Sequence, residues 1–309
     1  MGLTEAGNCI ACAGTLEDRK AVRLARSCLI ACSHCGSWNY FPRRDESAQI
    51  ALHDQAEYFE HPYFQNRRSR QRRIDGRCRQ IFTQLASAGA KEIKGAHVLD
   101  VGCGGGELLE AARRIFGVVP TGVDVSQRAI RELKAKKINS IHGIVADVPD
   151  DQLFDIVLAI DVIEHVSDIQ GFLSQIARAL KAGGVAYIET PNHRSAIYAV
   201  GALIANASGG RPYEVMERLF PPHHAIYISR KALTNAAARS GLSVIRLFTR
   251  HLPMADIGTS WPTRIGLGAL QLADRATGRC ALTCLLLVKH GNGEEGRTSA
   301  NTEQMKMVV

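Results

Sequence analysis

HVLDVGCGGGELLE, residues 97–110, decides how this chain is read. A short apolar run ends at Asp100, the chain turns through Gly102, Gly104, Gly105 and Gly106, and a helix-forming segment follows over residues 107–116. That is a strand feeding a glycine-rich turn that opens a helix. Such a turn lets backbone approach a ligand closely, and the first helical N–H groups are left unpaired to meet it. A dinucleotide fingerprint would need a third glycine where Glu107 stands, and a P-loop would need Gly-Lys-Ser/Thr, which is absent. What remains is Asp-x-Gly-x-Gly-x-Gly, with an acid two residues before the first glycine.

The downstream sequence extends this pattern. Residues 118–125 form a β-branched run that ends at Asp124, 22 residues after Gly102. A carboxylate there can accept hydrogen bonds from both hydroxyls of a ribose. The alternative, an N-cap for the helix expected over residues 127–137, is better filled by Ser126. A third apolar run, residues 141–146, leads to Asp147 and Val148, where a plain turn acid is the alternative to a ligand contact. Residues 153–160 are almost continuously apolar, as in a central parallel strand, and run into Asp161-Val-Ile-Glu-His165. A helix is expected over residues 169–180, with Gly183-Gly184 capping its C-terminus, then a strand over residues 185–189 stopped by Pro191. Strands alternating with helices predict βαβ units and a parallel sheet.

Taken in order, these blocks resemble a known family. Residues 100–106 resemble motif I of class I S-adenosylmethionine (SAM)-dependent methyltransferases. Residues 154–168 resemble the family's FD-x-V … D-x-x-EH-x-x-D signature, and residues 180–192 its L-K-P-G-G … PN element, with Ala182 in place of the usual proline. The resemblance implies an α/β, Rossmann-like fold, with a seven-stranded, mostly parallel sheet whose last strand is antiparallel. It also implies SAM as cofactor, contacted by Asp100, Gly102, Cys103, Gly104, Gly106, Asp124, Val125, Asp147, Val148 and Asp161. An acid near the glycine turn suits the ammonium and the cationic sulfur of that ligand. Asp124 corresponds to the family's ribose acid, and Asp147 to its adenine acid.

Four of the nine cysteines stand apart as Cys9-x-x-Cys12 and Cys32-x-x-Cys35, two knuckles separated by 19 residues. That spacing matches a four-cysteine zinc ribbon, in which the thiolates close the coordination sphere and the metal is structural. A ribbon ahead of a SAM core resembles bacterial methyltransferases acting on sugars, polysaccharide precursors or secondary metabolites. The aromatic segments 38–42 and 57–64 resemble the linker of that group. The expected division is a ribbon over residues 1–42, an aromatic and arginine-rich linker over 43–92, and a methyltransferase domain over 93–290. An acceptor lid is expected at residues 193–228, closing antiparallel strands at 242–249 and 281–289, an amphipathic helix at 263–276, and a disordered tail at 291–309.

The chain has a net charge of +8, and residues 67–79 hold seven arginines in thirteen positions. A solvated helix face accounts for such a run, and so does a surface for an anionic acceptor or a nucleic-acid backbone. No stretch is apolar enough to span a bilayer, the first residues lack the pattern of a leader, and the cysteines suit the cytoplasm. Methyl transfer to a hydroxyl or carbon acid needs a base, and histidine suits that task near neutral pH. The candidates are His165, after the fourth strand, and His224, in a segment resembling the family's P-x-H-x-x-x-x-S lid exit. The expected function is O- or C-methylation of a small molecule, with sugars and lipid-linked intermediates as candidate classes. RNA methylation is the competing expectation, weakened by the lack of an Asp/Asn-Pro-Pro-aromatic element after the fourth strand.

Overall fold

A computed structural model describes residues 7–16, 20–44, 67–90, 92–252 and 261–290; the aromatic segment 57–64 and the expected tail 291–309 lie outside the described residues. Three short strands come first: β1 (Lys20–Arg23), β2 (Cys28–Ala31) and β3 (Trp38–Phe41), paired antiparallel as a meander. The helix α1 (Arg67–Ser87) follows. The glycine turn then does what its composition dictates. It separates β4 (His97–Val101) from α2 (Glu107–Phe116), a helix bounded at both ends by left-handed glycines, Gly106 and Gly117.

The alternation continues through β5 (Val119–Asp124), α3 (Gln127–Ala135), β6 (Asn139–His142), β7 (Phe154–Ile160), α4 (Ile169–Ala179) and β8 (Leu180–Pro191). After β8 come α5 (Ala196–Ser208), α6 (Tyr213–Leu219) and the two-residue strand β9 (Ile226–Tyr227). The described chain closes with α7 (Arg230–Arg239), β10 (Leu242–Arg250), α8 (Trp261–Thr277) and β11 (Leu282–Lys289).

Seven strands form the main sheet in the order β10-β11-β8-β7-β4-β5-β6, with β11 antiparallel to both neighbours and the other pairings parallel. Alternate residues of each central strand point into separate apolar layers. Leu99, Val101, Val157 and Ile188 join one core with Leu173 of α4 and Leu233 of α7. Val98, Ile156, Leu158 and Tyr187 join the other with Phe82 of α1, Leu109 of α2 and Leu133 of α3. The period-two alternation of a strand thus builds a three-layer sandwich with both faces of the sheet covered. The chain reverses its lateral direction between β4 and β7. The carboxyl ends of such strands leave a crevice, where ligands bind in open α/β sheets.

Two local expectations are corrected. The apolar run 141–146 is not one strand: β6 ends at His142, Gly143 turns with φ 143°, and Val145–Asp147 forms a 3-10 turn. Gly183-Gly184 does not cap α4, because β8 begins at Leu180, directly after the helix ends. The pair lies inside the strand, where Gly183 takes φ 78° and a Cβ on Gly184 would meet the Lys181 carbonyl oxygen at 2.9 Å.

The N-terminal meander is fastened to the rest of the chain. β9 pairs antiparallel with β3, matching Trp38 to Tyr227 and Asn39 to Ile226. One face of the meander (Val22, Leu29, Tyr40) packs with Tyr198, Met216, Phe220 and Tyr227 of the region between β8 and α7. Asn206 on α5 accepts from the Arg23 N–H at 2.8 Å and donates to the Ala21 carbonyl at 2.9 Å. Gly210 makes the close approach possible: a Cβ there would lie 2.6 Å from the Ala25 nitrogen. Among the described residues no helix is long and apolar enough to cross a membrane.

Candidate functional site

The glycine turn is shaped by what surrounds it. Gly102, Gly104 and Gly106 all have positive φ, and a Cβ on Gly102 would lie 2.6 Å from Val162. Cys103, half-buried, packs so close to β5 that a Cβ on Gly122 would meet its sulfur at 2.5 Å. Asp124 holds the turn from the neighbouring strand: its Oδ2 accepts the Gly104 N–H at 2.8 Å and its Oδ1 accepts that of Ser126 at 2.8 Å. Ser126, not Asp124, caps α3. Each Asp124 oxygen keeps a second lone pair beyond these bonds. Asp147 lies exposed beyond β6, with Oδ2 accepting the Ile144 N–H at 2.8 Å, and Val148 beside it is buried. The Val125 carbonyl lies 2.9 Å from His142 Nε2.

Asp100 is the buried acid of the site. Burial, with the nearby Asp124 adding to it and Arg77 opposing, pushes its carboxyl from 3.8 up to about 8. Sequence reasoning did not single out Arg77, which lies within the arginine run. Its Nη2 reaches the wholly buried Glu189 of β8 at 2.6 Å, while its Nη1 is buried without a partner. Burial acts against the Arg77 charge, but Glu189 and then Asp161 outweigh it and raise its pKa. Arg250 completes the grip on Glu189 at 2.8 Å, and Tyr187 donates to the same carboxylate at 2.7 Å. The run therefore does not form one solvated stripe. Part of it is committed to a buried ion pair 112 residues away in sequence.

After β7 the chain passes through Asp161, a non-glycine residue at φ 54°, into a 3-10 turn over Ile163–His165. Glu164 is buried, and burial pushes its carboxyl well above the usual range. Its Oε2 accepts the Thr190 hydroxyl at 3.0 Å, its Oε1 is buried without a partner, and its carbonyl accepts the Ala225 N–H at 2.7 Å. His165 is thereby brought to the segment before β9. Its Nδ1 lies 2.9 Å from the His223 carbonyl, and its ring centroid lies 5.3 Å from that of His223 and 4.8 Å from that of His224. One nitrogen from each of the three rings lies within 4.8 Å of the other two. His193, also missed, is buried 4.8 Å from the Trp38 ring, and burial drives its pKa down to about 4.

The four knuckle cysteines converge. Cys9 and Cys35 sulfurs are 3.7 Å apart, Cys12 and Cys32 sulfurs 3.6 Å, and all four lie within 4.8 Å of one another. Zinc–sulfur bonds of about 2.3 Å give a tetrahedron with edges of about 3.8 Å, so these spacings fit a four-thiolate ion site. The knuckles are built alike: Ala13 N–H bonds the Cys9 carbonyl and Gly36 N–H bonds the Cys32 carbonyl, each at 2.8 Å. Ala13 takes φ 57° and Gly36 φ 79°, so alanine stands where the second knuckle has glycine. Asn39 donates to the Cys9 sulfur at 3.4 Å.

A model of the methyltransferase domain family matches residues 52–247, nearly two thirds of the chain. The chain belongs to that family. The methyltransferase is 32% identical over 136 residues to the ubiquinone biosynthesis O-methyltransferase of Rickettsia akari (strain Hartford), covering 42% of this chain and 53% of that one. It is 32% identical over 169 residues to the enzyme of that name from Coxiella burnetii (strain Dugway 5J108-111), covering 52% and 68%. The chain thus spans about half the length of the first of these relatives. Among solved structures it is similar to mycolic acid cyclopropane synthase CmaA1 complexed with SAH and CTAB. The TM-score is 0.54 at 17% identity, covering 80% of this chain and 99% of that one. A SAM-dependent methyltransferase from Archaeoglobus fulgidus gives 0.51 at 18%, covering 76% and 100%. These likenesses are of fold. The class I SAM-dependent methyltransferase fold expected from the glycine turn is the fold observed.

Asp100 yields a test that needs no ligand. Its folded pKa is raised, so between about 4 and about 8 the native state holds a proton that the unfolded chain has released. Native stability therefore falls as pH rises through that window. Asp100→Asn removes the cost, and melting curves should show the variant gaining more over the unaltered protein at pH 8.5 than at pH 5. An equal difference at both pH values would refute the assignment.

Proposed function

We propose that the methyltransferase moves a methyl group from SAM to an oxygen of a small-molecule acceptor. The observation that carries this reading is the meeting of His165, His223 and His224 at the exit of β7, beside Glu164. The names of the relatives favour oxygen, since both are O-methyltransferases. An acceptor of the sugar or lipid-linked kind, expected from the ribbon's resemblance, belongs to the same proposal.

The residues around the glycine turn fit SAM. Its methionine end is a zwitterion, and two groups near the turn suit its two ends: the Asp100 carboxyl, which would ionise as the ammonium arrives, and the buried, unpartnered Arg77 Nη1 of α1. Asp124 has acceptor capacity left for ribose hydroxyls, and Asp147 with Val148 would meet the base. Gly102, Gly104 and Gly106 give backbone access, with Cys103, Val125 and Asp161 lining the same strand ends. When bound, SAM supplies a methyl group already activated by its positive sulfur.

The chain's own residues then position the acceptor and take its proton. A carbonyl only accepts, so His165 Nδ1 is the donor to the His223 oxygen, and the lone pair of the neutral ring sits on Nε2. That nitrogen is the proposed general base, a role worth roughly 10²–10⁴-fold. His224 flanks it from the lid. Glu164 is a positioning residue: it ties Thr190 of β8 and Ala225 to the turn that carries His165. Holding the two reactants in near-attack geometry supplies much of the remaining acceleration.

The cysteines belong to a separate, structural role in this proposal, with one zinc held by Cys9, Cys12, Cys32 and Cys35. A ribbon over residues 1–42, a linker over 43–92 and a methyltransferase domain over 93–290 is the division we adopt. The lid occupies residues 193–228. The RNA reading loses one member of the arginine run, because Arg77 is turned inward to Glu189.

Calorimetry with SAM is the direct test. Asp124→Ala should weaken binding by about tenfold or more, the scale of one lost charged hydrogen bond; unchanged affinity removes the ribose assignment. His165→Ala should lower kcat by about two orders of magnitude while SAM affinity holds. Normal turnover in both His165→Ala and His224→Ala would rule out the base. Metal analysis should find about one zinc per chain, lost in the Cys9→Ser, Cys35→Ser double variant.

A further inference from the structure

A cleft opens between the N-terminal meander and the lid, lined by Ile10, Tyr40, Arg43, Arg44, Ser167 and His224 among others. Its walls come from three parts of the chain. Tyr40 lies on β3, Ser167 follows the turn carrying His165, and His224 belongs to the histidine group proposed for proton removal. A molecule in this cleft therefore meets His224 from the ribbon side.

The charged side chains among the described residues lining the cleft are Arg43 and Arg44. Arg43 donates to the Asn8 carbonyl and lies 5.0 Å over the Phe41 ring, while Arg44 donates to the Pro222 carbonyl. Each of these bonds fixes a guanidinium against the backbone and leaves further donors on it, since the group carries five. Among the described residues neither arginine forms an ion pair with a carboxylate. The stretch from residue 20 to residue 44 holds five Lys and Arg residues and no Asp or Glu. Two adjacent planar guanidiniums, anchored through neutral carbonyls, form a site for a doubly charged, multi-oxygen anion.

We propose that Arg43 and Arg44 bind a phosphate group of the acceptor, so that the junction of ribbon and linker selects phosphorylated molecules for methylation. The proposal rests on the reading of His165 and His224 as the acceptor site. The phosphate sits at the ribbon wall, and the hydroxyl to be methylated points past His224 toward His165. Arg43 and Arg44 are specificity-determining residues here, distant from the glycine turn in the chain.

Inorganic pyrophosphate is the probe. Titration calorimetry of the full chain should show saturable pyrophosphate binding, weakened about tenfold or more in the Arg43→Gln, Arg44→Gln double variant. Arg44→Lys, which keeps the charge but loses the fork, should fall between. SAM affinity and zinc content, measured on the same samples, should match the unaltered protein and so report an intact fold. Absence of saturable pyrophosphate binding, or equal binding by the double variant, overturns the proposal even if SAM still binds. Loss of SAM binding in the unaltered protein would instead overturn the methyltransferase reading. Sedimentation with phosphatidylglycerol vesicles, against phosphatidylcholine vesicles, separates the two sources of phosphate. Arginine-dependent sedimentation with the anionic vesicles alone assigns a lipid-borne group; pyrophosphate binding without sedimentation assigns a free phosphorylated acceptor.

Discussion

The pairing of β3 with β9 is the contact on which the rest of the site depends. It consists of two rungs, Trp38 with Tyr227 and Asn39 with Ile226, extended by the Tyr40 N–H to the Ala225 carbonyl at 3.0 Å. Backbone bonds of this kind contribute about 1 kcal/mol each net, too little to hold a lid alone. Complete burial of Ile226 and Tyr227 supplies the apolar term. Ser229 then locks the junction. Its N–H bonds the Ser37 hydroxyl at 2.9 Å, and its hydroxyl bonds the Cys35 carbonyl at 2.5 Å while capping α7. The knuckle that presents Cys35 thus fixes the start of α7, and His223 and His224 lie between this anchor and α6. Thiolate geometry and the histidine group share one mechanical connection.

Around that frame the site departs from the rules that stabilise ordinary cores. Glu189 is buried but satisfied by two guanidiniums and a phenol. Asp100, nearly as enclosed, is pushed toward its neutral form by burial, and Glu164 keeps one buried oxygen unpaired. Asp161 holds a left-handed backbone that glycine adopts far more readily. Groups of this sort cost stability in the free protein. They concentrate at the carboxyl ends of β4 and β7, where the sheet topology opens its crevice, and a zwitterionic ligand would relieve the first of them. Local cost placed at one edge of an otherwise well-packed sheet is the physical signature of a binding site.

How much of this could be read beforehand follows from how local each signal is. The helix over residues 107–116 was legible because two glycines bound it, and both take the left-handed conformation expected of helix ends. The five parallel strands were legible as short apolar runs at βαβ spacing. Residues 141–146 misled because apolar character continues through Gly143, where only the positive φ marks the end of β6. Gly183-Gly184 looked like a helix stop, though the strand begins three residues earlier. Other features had no local signal. β9 is two residues long and finds its partner nearly two hundred positions away, and Arg77 meets Glu189 across 112 residues. The cysteine spacing announced four converging thiols, but not that the meander they support would share a sheet with the lid.

That shared sheet bears on why a ribbon stands at this end of the chain. A meander of fewer than forty described residues cannot bury enough apolar surface to fold securely by itself, and the proposed four-thiolate zinc site would compensate for that deficit. Metal binding would give rigidity without demanding a large core, so the chain just past the strands is free to carry function. Both faces of the meander's strands are used, Leu29 and Tyr40 against one core and Ile30 and Phe41 against another. The chain just past β3 presents Arg43 and Arg44 to the cleft beside His224. In the proposed function the methyl donor is held by residues at the carboxyl ends of the sheet strands. Specificity for the acceptor is then most freely varied on an element braced from outside the sheet, and the ribbon is such an element.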